Sequence, residues 1–227
     1  ILGSGIELRL LMTNPDGTVN LELAGAAEGC CAVYVEQPNP FGVIDEGLLE
    51  LKSLIGEKTA LIVGVNATSL GILEPPGSWG ADLVVGEGQP FGIGPTGGGP
   101  IYGLFACTKP YLRQMPGRIA GKTTDTEGRT GYVLTLQPRE QHIRRERATS
   151  NICTSTALIG LWATIWVACM GKRGLRHLAE LTYQKAHYAA GRIGELPGYS
   201  LPIAGMFFQE FVVACPESPT RINAHLE

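Results

Sequence analysis

Apolar residues gather in short, near-continuous runs at Ala32–Val35, Thr59–Val65 and Leu83–Val85. Such runs are the pattern of strands buried on both faces, where a half-exposed strand would alternate. Between the first two, Asp45–Ile55 spaces Leu48, Leu51, Leu54 and Ile55 as one face of a helix. Strands alternating with helices predict an α/β fold with a mostly parallel sheet flanked by helices on both faces. Ligands of such sheets bind in the loops that leave the carboxyl ends of the strands. Upstream, Ile1–Leu11 reads as a strand, Asn14-Pro15-Asp16-Gly17 as a turn and Leu21–Ala27 as a short helix. A further strand is expected over Ile101–Cys107, then a helix ending near Met115-Pro116-Gly117. Lys122–Gly131 reads as a polar hairpin or loop, and Tyr132, Val133, Leu134 and Leu136 as a short β-type run. Ile152–Ile193 is mostly helical in two pieces that break near Gly171–Gly174. Phe207–Val213 reads as a last strand, and Pro219–Glu227 as the first turns of a helix. The expected organisation is a partial large α/β domain over 1–150, connecting helices over 151–193 and the start of a small C-terminal domain over 194–227. Both ends read as cut from a longer chain.

Charge narrows the partners. A net charge of -3 and a pI near 5.9 speak against nucleic acid and anionic membrane surfaces. Ala157–Gly171 is strongly apolar but falls short of the roughly 20 residues that span a bilayer. Lys172 and Arg173 close it, so it reads as a buried helix of a soluble protein. The six cysteines form no C-x-x-C pair and show no metal-ligand spacing with histidine. Most lie in apolar runs, as free buried thiols of a reducing cytoplasm do.

Candidate chemistry concentrates in one stretch. Arg139, His142, Arg144, Arg145 and Arg147 run into the turn Ala148-Thr149-Ser150-Asn151, which opens an apolar helix at Ile152. Guanidinium groups fork onto phosphate or carboxylate oxygens, and free N–H groups at a helix start add partial positive charge. The competing reading is a solvated mixed-charge face, since Glu140 and Glu146 interleave with the arginines. Two carboxyl-end loops also stand out, Asn66-Ala67-Thr68-Ser69 and the glycine-rich Gly86–Pro100. The second matches neither a dinucleotide nor a phosphate-loop fingerprint. His177 and His187, alone on a helical face, read as packed or solvated.

Leu134–Thr154, L-T-L-Q-P-R-E-Q-H-I-R-R-E-R-A-T-S-N-I-C-T, resembles the signature of the glycine decarboxylase P-protein of the glycine cleavage system. The likeness is greatest to subunit 1 of the two-subunit bacterial form. P-N-P-F-G-V-I at Pro38–Ile44, P-P-G-S-W-G-A-D-L-V-V-G-E-G-Q-P-F-G at Pro75–Gly92 and R-Q-M-P-G-R at Arg113–Arg118 also match. So do Q-K-A-H-Y at Gln184–Tyr188 and F-F-Q-E-F-V-V at Phe207–Val213. The resemblance implies a fold-type-I pyridoxal phosphate transferase-like architecture, ending in part of a small C-terminal α+β domain. It implies a subunit of glycine dehydrogenase (decarboxylating), an oxidoreductase of glycine catabolism. Glycine is decarboxylated on pyridoxal phosphate, and its aminomethyl group passes to the oxidised lipoyl arm of the H-protein.

The resemblance also locates an absence. Gln89 stands where the cofactor lysine is expected, and a carboxamide nitrogen cannot form an imine. Lys58 and Lys109 sit off that loop. Asn66 stands where an aspartate would pair with the pyridine nitrogen. The expectation is a chain with no catalytic residue of its own, paired with a lysine-bearing subunit 2 in a heterotetramer that covalently holds the pyridoxal phosphate. Thr149 and the helix-start N–H groups would touch the partner's cofactor phosphate, in a turn with Ser150. Arg144 or Arg145 would hold a carboxylate or phosphate, and Asn151 would brace the turn. Pro138, Gly94-Pro95-Thr96-Gly97 and Gln209 depart from the family pattern. Two other readings stand beside this one: a self-sufficient pyridoxal phosphate decarboxylase or lyase using another lysine, and a non-enzymatic anion-binding module.

Overall fold

A computed structural model describes residues 5–94, 99–117, 119–135, 145–147 and 156–226. Its centre is a four-stranded sheet of β1 (Ala32–Gln37), β2 (Ala60–Asn66), β3 (Leu83–Glu87) and β4 (Gly103–Cys107), in that spatial order. β1 pairs with β2, and β2 with β3, in parallel; β3 and β4 are antiparallel. Two parallel pairs against one antiparallel pair make the sheet mostly parallel, as expected. α1 (Leu48–Ile55) is the crossover between β1 and β2. It lays Leu48, Leu51 and Ile55 on Val33, Val35, Leu61 and Val63, and together they form the core. Each fully buried leucine here contributes about 2 kcal/mol or more through area removed from water.

The register sends the other residues of the same strands to the opposite face. Tyr34 pairs with Ile62, Glu36 with Gly64, Gly64 with Val85 and Asn66 with Glu87. That face is far more open than the uninterrupted apolar runs predict, with Tyr34 54% and Phe105 39% exposed. At the amino end of the sheet, Asp82 ties three elements together. Its Oδ2 accepts from the Leu61 N–H at 2.9 Å and from Lys52 Nζ on α1 at 2.7 Å. Lys52 Nζ also donates to the Thr59 carbonyl at 2.9 Å.

A hairpin of β5 (Ile119–Thr124) and β6 (Thr130–Thr135) follows, where a polar hairpin was expected. α2 (Ala157–Gly194) is a long helix interrupted at Gly171, whose φ of 60° and ψ of 179° are non-helical. The break expected at Gly171–Gly174 is therefore real. The two pieces of α2 have separate contacts. Trp166 of the first stacks on Phe91 at 5.9 Å, beside Gly92. Leu175 and Ala179 of the second press on Gly71, where an added Cβ would lie 2.6 Å from the Leu175 carbonyl oxygen. α3 (Pro219–Leu226) closes the described chain.

Five expectations need correction. Described residues 5–12 form no strand, an isolated bridge between Thr13 and Val19 follows them, and Ile6, Leu8 and Leu10 are exposed. The helix expected before Met115 is a single 3-10 turn, Lys109–Tyr111, too short to propagate. Phe207–Val213 is not a strand. Its neighbour is the curved loop at Asn39–Ile44, so pairing stops at single bridges, Val43 with Phe207 and Ser200 with Ala214. Phe208 is fully buried there, and its N–H donates to the Gly42 carbonyl at 3.0 Å. The first piece of α2 is not buried: Leu158, Leu161, Trp162 and Ile165 are each more than half exposed. Cys30, Cys31, Cys107, Cys169 and Cys215 are in no disulfide, but none is fully buried, and Cys31 and Cys169 are exposed. Among the described residues no helix is long and apolar enough to cross a membrane, and no group of His, Cys, Asp and Glu could hold a metal ion.

Candidate functional site at the carboxyl ends of the strands

Parallel strands end together, so the segments leaving β1, β2 and β3 meet along one rim. A cleft of about 500 Å³ opens there, lined by Pro38–Pro40 after β1, Asn66 at the end of β2 and Glu87 at the end of β3. Tyr34, Glu36, Gly64 and Val85 form its floor, and Glu210 comes from the C-terminal segment. Gly64 keeps the floor low, because a Cβ there would lie 2.5 Å from the Tyr34 hydroxyl oxygen.

The loop after β1 is built on Asn39. Its Nδ2 donates to the Gly17 carbonyl at 2.6 Å, and its Oδ1 accepts from the N–H groups of Phe41 and Val43 at 3.0 and 3.1 Å. A cis peptide joins Gln37 to Pro38 at its start. Next along the rim, Asn66 turns its Oδ1 onto the N–H groups of Thr68 and Ser69, at 3.0 and 3.4 Å, and so caps its own turn. Ser69 Oγ returns a hydrogen bond to the Asn66 carbonyl at 2.8 Å. After β3, the Gln89 N–H donates to Glu87 Oε1 at 2.9 Å, while Gln89 Nε2 donates to the Ile93 carbonyl at 2.6 Å. The side-chain amide of Gln89 thus closes a loop over four residues and leaves the cleft without a free nitrogen from this position.

Tyr34 and Glu36 lie two residues apart on β1 and therefore share a face. The Tyr34 hydroxyl donates to Glu36 Oε1 at 2.7 Å. Burial first, and then that hydrogen bond and charge, push the Tyr34 pKa up from 10.0 to about 12. Neither residue was singled out from the sequence, because A-V-Y-V reads as a continuous apolar run. The alternation Val33, Val35 against Tyr34, Glu36 was the signal available.

The other sequence candidates fall elsewhere. Lys58 is exposed in the turn before β2, and Lys109 follows antiparallel β4; both are at the amino end of the parallel strands, away from the cleft. No lysine, arginine or histidine lines the cleft among the described residues. Arg145 is exposed in a 3-10 turn at Arg145–Arg147. Arg144, Thr149, Ser150 and Asn151, like Arg139 and His142, lie outside the described residues. His187 is a packed histidine. Its ring lies 3.9 Å from that of Phe207 and 4.0 Å from that of Tyr183, and its Nε2–H donates to the Phe207 carbonyl at 2.9 Å.

Comparison with known proteins gives the relationship. The family model for the glycine cleavage system P-protein matches residues 7–225. A probable glycine dehydrogenase (decarboxylating) subunit 1 from Desulfitobacterium hafniense is 49% identical over 229 residues, covering 100% of this chain and 51% of its own length. Its counterpart from Chlorobium limicola is 48% identical, covering 99% of this chain and 51% of its own length. The chain thus spans about half the length of the curated relatives it matches. Among solved structures, a glycine decarboxylase (P-protein) of the glycine cleavage system, in inhibitor-bound form, superposes with a TM-score of 0.89 at 36% identity. That match covers 98% of this chain and 50% of the other. A sphingosine-1-phosphate lyase from Burkholderia pseudomallei shares the fold, with a TM-score of 0.53 at 16% identity over 89% of this chain and 45% of its own. With a match over nearly its whole length, and curated relatives that are about half identical to it, this chain belongs to the glycine cleavage system P-protein family.

Proposed function

We propose that this chain is the cofactor-free half of a glycine decarboxylase: part of subunit 1, completing the site of a lysine-bearing subunit 2. One observation carries the reading. Gln89, which we take to stand at the cofactor-lysine position, has its amide nitrogen held on the Ile93 carbonyl, and among the described residues no amine lines the cleft beside it. Pyridoxal phosphate, held by the partner, supplies the electron sink for decarboxylation. This chain's share is to position and shield. Thr149, Ser150 and the N–H groups at the start of the following helix bind the partner's cofactor phosphate, Arg144 or Arg145 holds an anionic group, and Asn151 braces the turn. Glycine is the substrate, the lipoyl arm of the H-protein the acceptor. The division into a large domain over 1–150, connecting helices over 151–193 and a small C-terminal domain over 194–227 belongs to the same proposal.

The test is reconstitution. Co-expressed with a lysine-bearing subunit 2, the chain should support exchange of the glycine carboxyl with bicarbonate in the presence of lipoylated H-protein. Neither chain alone should do so. A hydrogen bond to a charged phosphate contributes about 1.5–3 kcal/mol. Thr149→Ala should therefore weaken pyridoxal phosphate binding by the pair by about one to two orders of magnitude. Unchanged affinity in a cofactor titration would remove Thr149 from the site. Covalent capture of pyridoxal phosphate by the isolated chain at one of its own lysines would favour a self-sufficient enzyme instead.

A further inference from the structure

The carboxyl-end cleft is where a fold of this type presents a ligand, and its lining can be tested against the cofactor. It does not fit. Besides the engaged amides of Asn39 and Asn66, its polar lining consists of Tyr34, Glu36, Glu87 and Glu210, with no cation among the described residues; Gln89 lies two residues past Glu87, its own amide engaged. Glu36 sits on the floor, held by the Tyr34 hydroxyl; Glu87 is fixed at the end of β3 by the Gln89 N–H; Glu210 flanks them from the C-terminal segment. A phosphate monoester carries a charge of about -1.5 to -2 at neutral pH. Within a cleft this size it would lie inside the screening distance of about 8–10 Å from carboxylates at physiological ionic strength.

We infer that this cleft is closed to a phosphate-bearing pyridoxal cofactor by charge, independently of the missing amine. The inference rests on the reading of the chain as a cofactor-free half and predicts that restoring the lysine alone will not restore the site. The barrier acts on the phosphate and not on the ring, so pyridoxal should escape it, and the near-isosteric exchange of glutamate for glutamine separates charge from a steric block.

The experiment uses the full chain with Gln89→Lys, alone and combined with Glu36→Gln, Glu87→Gln and Glu210→Gln. Each is incubated with pyridoxal or pyridoxal phosphate and reduced with borohydride. The amine adds to the aldehyde with loss of water, and hydride reduces the resulting C=N bond to a stable secondary amine that mass spectrometry locates. Labelling at position 89 is normalised to that of exposed Lys58, which cancels the different reactivity of the two aldehydes. In the single variant, normalised labelling by pyridoxal should exceed that by pyridoxal phosphate by about tenfold, the scale of a few partly screened like charges in a solvated cleft. Neutralising the three glutamates should abolish that difference, and raised salt should shrink it. Equal labelling by the two aldehydes in the single variant, or a difference that survives neutralisation, overturns the inference. A second measurement avoids substitution at position 89. The side-chain amide resonances of Asn66 and Gln89 in the unaltered chain should respond to pyridoxine at lower concentration than to pyridoxine phosphate, and equal response likewise overturns it. An inactive reconstituted pair would sink the subunit assignment while leaving these ratios untouched, so the two failures are distinguishable.

Discussion

Asp82 is the residue on which α1, β2 and β3 converge, and its carboxylate is about one-fifth exposed, at 19%. Removing it leaves the Lys52 ammonium and the Leu61 N–H without their shared acceptor. Asp82→Ala should cost about 1.5–3 kcal/mol, the range for a hydrogen bond to a charged group. A urea titration should read this as a lower midpoint with unchanged slope. At the opposite end of the sheet, the phenol of Tyr34 gives a titration that can be followed alone. Its folded pKa is raised from 10.0 to about 12, so the folded state holds that proton more tightly than the unfolded one. The associated stability is present below pH 10 and is lost as the pH rises towards about 12. Phenolate absorbance should show a late step near pH 12, absent from Tyr34→Phe and moved earlier in Glu36→Gln.

Among the elements, α2 carries the most testable geometry. Gly171 has a positive φ and an extended ψ, a combination that is essentially glycine's own, and open space where a Cβ would stand. Gly171→Ala therefore meets no clash, and its cost of about 1–3 kcal/mol is conformational. Thermal unfolding should show a drop of several degrees with an unchanged helical spectrum. This break was legible in the sequence because glycines punctuate an otherwise helical pattern. So were β1, β2 and β3, whose short valine-rich runs favour strands, and α1, whose leucines repeat at helical spacing. Phe207–Val213 has the same strand-forming composition, but a ladder needs a straight partner, and the loop opposite it curves through Gly42 at a φ of 81°. Propensity describes a segment and not what lies beside it.

Over the whole molecule, the site divides into a legible and an illegible part. The loops that carry Asn66 and Gln89 could be located because they follow recognisable strands. Where their amides point could not, since Asn66 and Gln89 bond backbone groups of their own loops that no sequence pattern names. Glu210 joins the cleft only because the C-terminal segment folds back along Asn39–Ile44, a contact between residues far apart in the chain. The arginine-rich stretch is legible by its motif, and of its arginines only Arg145 and Arg147 fall among the described residues.

Phe91 and Gly92, two and three residues past Gln89, rest on the front half of α2, and Gly71, five past Asn66, rests on its rear half. One bent rod therefore latches two loops that the chain itself separates by the whole of β3. Trp166→Ala should unfasten the first latch directly, raising amide hydrogen exchange at Phe91 and Ile93. If the rod behaves as a single lever, exchange at Gly71 and Ile72 should rise with it; if the bend uncouples its arms, only the first pair will quicken.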